Sequence, residues 1–222
     1  MIIRNQIEEV KKFGIKNAFF GLIYKFINKI VFLKVLQGMV LTINSLNLEM
    51  LVVPSGYDVT LLSKDELLKY SKDKKSELEK SFIDAALEKG DQCLGFINND
   101  ILASYGWYSN SATSINEDLS LIFDNYWTYN YKGYTNPSHR GKRLHAIGMA
   151  IMLTMIAKKN FCGILAYVEI FNFRSLRSTK RLGFRPFGKV YVLKIFDRYW
   201  IKAEKSCSPY GFNVKSIKGF QK

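Results

Sequence analysis

The run Pro137-Ser138-His139-Arg140-Gly141-Lys142-Arg143-Leu144 leads directly into an apolar helical pattern. The first N–H groups of a helix lack internal acceptors, and its dipole places about half a positive charge at that end, so a donor-rich turn opening onto a helix is an anion seat. Arg140, Lys142 and Arg143 add three cations, and the anion they suit is a phosphate. Histidine is the usual proton shuttle near neutral pH. Here His139 reads as a loop residue, and His145 as an ordinary residue of the first helical turn, placed to pack against whatever the turn binds.

These residues need elements to hold them. Leu144, Ile147, Ile151 and Met155, flanked by Met152 and Ile156, recur at three- and four-residue spacing and predict a helix with one face in the core. A strand-like run from Gly163 to Val168 follows. Asn172-Phe173-Arg174-Ser175 then starts a short basic helix that closes on Leu182-Gly183-Phe184, with Gly183 where a C-cap needs positive φ. Upstream, strands are predicted at Tyr57 to Leu62, Cys93 to Ile97 and Ile101 to Tyr108, the last two joined through Asn98-Asn99-Asp100 as a tight hairpin. Lys64 to Lys89 reads as one or two charged helices with Leu67, Leu68, Leu78, Phe82, Ile83 and Leu87 buried. The order gives a mixed α/β sheet.

The succession strand, Pro-x-x-Arg-Gly-x-x-Leu, helix, strand, Asn-x-x-Ser, helix, Gly-Phe resembles the two acyl-CoA-binding motifs of the GNAT N-acetyltransferase superfamily, from about residue 57 to residue 200 and most strongly from Tyr134 to Phe184. The resemblance implies a GNAT-like α/β fold, a mixed, mainly antiparallel twisted sheet flanked by helices. It implies that amides from His139 through Arg140, Gly141, Lys142, Arg143 and Leu144 to His145 hold the pyrophosphate of coenzyme A. The strand at Tyr134 and Thr135 would pair with the pantetheine arm, and Asn172 and Ser175 would contact it. Two departures stand out. The small residues usual in the turn are replaced by Arg143 and His145, so Arg143 must adopt a conformation that glycine reaches without steric cost. The tyrosine that many relatives use as acid to the leaving thiolate falls on Thr179, a poor proton donor.

Direct attack of an amine on a thioester requires alignment, removal of a proton and stabilisation of an oxyanion. The resemblance puts backbone N–H groups near Tyr134 and Thr135 beside the thioester carbonyl. Glu169, at the C-terminal end of a strand and one of three acids after residue 139, is the first candidate base. Its alternative role is pairing with Arg174 or Arg177. Asp124, Glu117 and Asp118 are rivals, and Asn172 can serve as a helix N-cap besides any ligand contact.

Charge is polarised along the 222 residues, which carry a formal net charge of +14. Residues 1 to 36 hold seven cations and two acids, residues 37 to 139 eight and fourteen, and residues 140 to 222 eighteen and three. A basic C-terminal half suits a polyanionic co-substrate, and a mildly acidic middle suits a cationic amine. No nucleic-acid-binding motif accompanies the basic residues. Cys93, Cys162 and Cys207 have neither disulfide nor metal spacing, and with two histidines no metal site is expected.

Ile15 to Leu36 is apolar and aromatic but interrupted by Lys16, Lys25, Lys29 and Lys34, each costing roughly 2.5–3.5 kcal/mol at a bilayer centre, which argues against spanning. An amphipathic helix on a membrane surface and a helix packed on the protein both fit. The expected organisation is a basic amphipathic N-terminal helix over 1–36, a connector over 37–56 with short strands at Met39 to Leu41 and Met50 to Val53, an acyltransferase domain over 57–205 and a basic tail over 206–222. The expected function is an acyl-CoA-dependent N-acyltransferase, most simply an acetyltransferase, using acetyl-CoA or another acyl-CoA and a small amine-bearing acceptor such as an amino sugar or amino acid. A cytoplasmic location, with peripheral membrane contact through residues 1–36 as a variant, accompanies it. The alternatives are a non-catalytic acyl-CoA sensor and a membrane-surface adaptor of the same fold.

Overall fold

The computed structural model describes residue 23, residues 32–196 and residues 198–217. Eleven strands and four α-helices are formed by them: β1 Phe32–Leu41, β2 Asp58–Leu61, α1 Lys64–Ser71, α2 Lys80–Glu88, β3 Gln92–Asn98, β4 Ile101–Ser109, β5 Thr113–Ser114, β6 Leu119–Ile122, β7 Trp127–Thr135, α3 Leu144–Ala157, β8 Gly163–Glu169, α4 Phe173–Leu182, β9 Arg185–Ile195, β10 Arg198–Ala203 and β11 Asn213–Ser216. Eight strands form one sheet in the order β10-β9-β1-β8-β7-β4-β3-β2, and β11-β6-β5 form a second. All pairings are antiparallel except β7 with β8. The mixed, mainly antiparallel sheet flanked by helices is the architecture expected.

Three layers of apolar packing hold the large sheet. On one face α3 lays Met149, Met152, Leu153 and Ile156 against Met39, Leu41, Ile164, Ala166 and Val168. Eight of its fourteen residues are buried, since it is apolar all round rather than along one stripe. On the other face α1 and α2 cover β3, β4 and β7 through Leu67, Ile83, Tyr105 and Trp107. The small sheet covers β1, β8 and β9 through Leu119, Leu121 and Val214. The predicted hairpin forms with Asn98 opposite Ile101, and Asn99 and Asp100 both take positive φ, as a type I′ turn demands.

Two boundaries differ from the sequence reading. Phe32 to Leu36, assigned there to the end of a helix, and the following residues of the assigned connector form β1, which is inserted between β8 and β9 with both partners antiparallel. An apolar run of β-branched and aromatic residues satisfies either a helical or a strand pattern, and two flanking ladders decide it. Residues 1–31 of the proposed helix, Ile23 apart, lie outside the described residues. Met50, expected in a strand, lies in a 3₁₀ turn, Leu48–Leu51. The expected tail instead closes the second core: Phe212 and Val214 are buried, and β11 pairs with β6. Among the described residues no helix is long and apolar enough to cross a membrane.

Candidate functional site

The one parallel pairing is short. β7 and β8 are joined only where Trp127, Thr128 and Tyr129 meet Gly163, Ile164 and Leu165. Beyond Tyr129 and Leu165 both strands continue, to Thr135 and Glu169, without a ladder between them, so a wedge opens between their C-terminal halves. At the start of that wedge β7 is bulged: Trp107 pairs with Lys132 and Tyr108 with Asn130, leaving Tyr131 as the extra residue. A bulge releases backbone groups from the ladder and re-aims the strand.

The turn after β7 is held by its own side chains. Asn136 caps a 3₁₀ turn, Pro137–His139, by accepting from the Ser138 N–H, and Arg140 Nε donates to the Thr135 carbonyl at 3.3 Å. Lys142 Nζ donates to the Tyr57 hydroxyl at 2.8 Å, and that hydroxyl meets His139 Nδ1 at 2.7 Å. Tyr57 and His139 are both buried, so this relay ties the turn to the segment before β2. Arg143 then takes φ 60 and ψ 18 as N-cap of α3, the left-handed conformation anticipated for it, at a cost of roughly 1–2 kcal/mol for a residue with a Cβ. Its side chain makes no cap bond. The first-turn N–H groups of α3 therefore have no side-chain acceptor from their N-cap.

This turn forms one wall of a cavity of about 700 Å³ through Thr135, Arg140, Gly141, Arg143, Leu144 and His145. Arg174, Arg177 and Arg181 of α4 form the facing wall, Met50 and Leu182 contribute apolar surface, and Glu49 is the acid among the lining residues. The α4 wall is anchored at its C-terminal end. Gly183 has φ +108, and a Cβ there would run into the Ser45 carbonyl, so only glycine lets the helix end against the segment after β1. The His145 ring lies over Gly133 of β7, where a Cβ would collide with it. Burial pushes the His145 imidazole below its ordinary value, opposed by a hydrogen bond with the Tyr105 backbone.

Other predicted residues stand elsewhere. Tyr134 turns its ring to the opposite face of the sheet, stacked on Tyr105 at 5.5 Å between centroids. Asn172 caps α4 by accepting from the Ser175 N–H at 3.1 Å. The Thr179 hydroxyl donates to the Ser175 and Leu176 carbonyls at 3.0 and 3.1 Å, so it serves its own helix. Glu169 pairs with Lys34 of β1 rather than with Arg174 or Arg177, because antiparallel register sets Leu36 opposite Glu169 and brings Lys34 alongside. That pair lines a second cavity, of about 270 Å³, between the large and small sheets, together with Tyr167 and Asn116. Of the rival acids, Asp118 accepts from Tyr199 at 2.9 Å and from Lys194 at 3.5 Å, and Asp124 and Glu117 are exposed. Among the described residues no group of three or more His, Cys, Asp or Glu side chains could hold a metal ion.

Sequence reasoning missed the α4 arginines as a wall, although their spacing puts them on one helix face. It also missed Tyr57, for which no local signal exists.

No protein-family model matches the chain. No curated protein matches it in sequence. Solved structures do match. An X-ray structure of a Drosophila protein aligns with TM-score 0.50 at 17% identity, over 79% of this chain and 52% of that one. A tandem GNAT protein from the clavulanic acid biosynthesis pathway aligns with TM-score 0.50 at 12% identity, over 83% and 54%. A GCN5-related N-acetyltransferase-like protein from Streptococcus suis gives TM-score 0.49 at 10% identity, over 87% and 67%. The chain spans about half the length of the first two. At these identities the likeness concerns the fold, and the fold of this chain is that of the GNAT acetyltransferases.

Proposed function

We propose that this chain is an acyl-CoA-dependent N-acyltransferase, most simply an acetyltransferase, that passes the acyl group directly to a small amine. The observation that carries the reading is the convergence of the α3 turn and the α4 arginines on one cavity at the open end of the β7–β8 wedge. In this reading the first-turn N–H groups of α3, with Arg140 and Arg143, take the diphosphate. The wedge takes the pantetheine arm along the unpaired edge of β7. Backbone N–H groups of β7 near the Tyr131 bulge stabilise the oxyanion, as preorganised donors. The amine attacks from the face that bears Tyr167 and Glu169. A C–N bond forms and the C–S bond breaks. The ammonium proton leaves to Glu169 or to water, and the thiolate is protonated from solvent, since the Thr179 hydroxyl is engaged within α4.

A specific observation favours a second reading. The candidate base Glu169 is engaged by Lys34, and Thr179, at the position of the relatives' acid, is engaged by its own helix, which suits a protein that binds acyl-CoA without turning it over. Thiol release decides between the two. With acetyl-CoA and a panel of amines, the acyltransferase liberates thiol only when an acceptor amine is present, and Arg140→Ala lowers kcat/KM for acetyl-CoA by about tenfold. Binding by calorimetry without release on any amine favours the sensor. No binding of acetyl-, longer acyl- or free coenzyme A overturns both.

A further inference from the structure

The hairpin of β9 and β10 forms one edge of the large sheet. Its two faces differ. Val190, Val192, Tyr199 and Ile201 turn toward the small sheet and pack in that core. By the alternation of a strand, Tyr191, Leu193 and Ile195 share the other face with Arg198, Trp200 and Lys202, with Ile195 opposite Arg198, Leu193 opposite Trp200 and Tyr191 opposite Lys202. Tyr191, Leu193, Ile195 and Trp200 join none of the apolar clusters formed by the described residues. Trp200 is 66% exposed, and Phe196, at the tip of the hairpin, is 95% exposed. Phe196 also takes φ 52, a left-handed conformation in which a bulky residue is an outlier and which asparagine or glycine would suit better. The fold gains neither packing nor backbone ease from a phenylalanine there. Aromatic side chains held out together at a sheet edge mark a contact surface.

The charges select the partner. Residues 185 to 202 hold five cations and one acid, Asp197. Among the described residues neither Arg198 nor Lys202 forms an ion pair. Two occupants could come from this chain, and both are basic. A second copy seated across a two-fold axis would set the cationic patch against its own image. Residues 1–31 carry six cations and two acids. Phe32, the first residue of β1, pairs with Lys194, so that segment joins the fold beside the hairpin tip, where it adds positive charge rather than offsetting it. Tryptophan, tyrosine and phenylalanine set among Lys and Arg are the composition of a membrane interface, with the rings in the headgroup region and the cations on anionic lipids. We propose that the tip and outer face of the β9–β10 hairpin dock on an anionic lipid bilayer, with Phe196 and Trp200 inserted and Arg198 and Lys202 on the headgroups. The inference stands apart from the acyl-CoA reading, since it uses no residue of the large cavity.

Co-sedimentation of the full chain with vesicles of phosphatidylcholine alone, and of an equal mixture of phosphatidylcholine and phosphatidylserine, tests this. The expected result is binding to the mixed vesicles only, weakening as salt is raised. Trp107 is buried and Trp127 half-buried, so Trp200 is the exposed indole, and its emission shifts to the blue on the mixed vesicles. Trp200→Phe keeps the binding and loses the shift. Arg198→Gln with Lys202→Gln lowers the affinity by about 20-fold, at about fivefold for each cation near such a surface. Phe196→Ser with Trp200→Ser lowers it by about tenfold or more. Sedimentation with neither vesicle, equal sedimentation with both, or binding that survives this last pair of substitutions in protein with an unchanged melting curve overturns the proposal. So does a Trp200 emission, taken as the difference between the unmodified chain and Trp200→Phe, that is already blue-shifted before vesicles are added, because the face is then covered by residues 1–31 or by a second copy.

Discussion

On the α3 and α4 side of the large sheet, arginines from two walls face a cavity of about 700 Å³ in which Glu49 is the acid among the lining residues. On the other side, a cavity of about 270 Å³ holds Lys34 against Glu169. β8 divides the two sides: its Ala166 and Val168 face α3 while Tyr167 and Glu169 face the small sheet. The difference lies in what the charges already have. The first cavity sets five arginines against one acid, Glu49, the balance that the proposed function assigns to an anionic co-substrate. The second has neutralised its own charge, so under the proposed function an acceptor ammonium entering there would have to displace Lys34 or bind beside it.

The strongest way to break the comparison is to damage the first wall from within the sheet. Gly133→Val drives a side chain into the His145 ring, and the expected result is a loss of about 1–3 kcal/mol in denaturant unfolding, as for other overpacked sites. Loss of acyl-CoA binding in calorimetry should accompany it. Arg143→Gly sharpens the comparison by separating backbone from charge. Relief of the left-handed strain raises stability by about 1 kcal/mol, while the affinity for acyl-CoA falls by about threefold, the size of one exposed charge interaction. A variant that lost stability would show that Arg143 is held by contacts stronger than its strain.

His145 supplies a pH signature for the first site. Its folded-state pKa lies below the ordinary value of 6.5, so the unfolded chain binds more protons in the interval between the two. Its contribution to stability is therefore complete above 6.5 and declines as pH falls from there toward the folded value. Urea midpoints measured across this range should show the decline, and His145→Gln should flatten it. The smallest effect is expected on the second site. The side chains of Lys34 and Glu169 are 34% and 35% exposed, so Lys34→Met shifts unfolding by less than about 1 kcal/mol. It also releases Glu169, and amine-dependent thiol release should rise. A fall would assign Lys34 itself to the acceptor site.

Much of the first site was legible because its parts are local. The turn from His139 to His145, the apolar pattern of α3, the Asn172 cap and the Gly183 terminus each depend on residues within one or two helical turns. The second site was not. Lys34 and Glu169 stand 135 residues apart, and their meeting depends on β1 pairing with β8 in one register. The apolar run that forms β1 fits a helical pattern as well as a strand pattern, so nothing near it in the chain could reveal the partner. The same holds for Tyr57, which reaches His139 and Lys142 from a separate loop.

By itself the sequence determined the turn after β7, the helix it opens and the left-handed conformation imposed on Arg143, because capping and backbone sterics act over a few residues. Tertiary structure alone decided that β7 and β8 part after three pairs, that the α4 arginines face the turn and that Glu169 is engaged by Lys34. Those outcomes depend on how whole strands and helices pack, and the free energy that selects one packing is distributed over residues far apart in the chain.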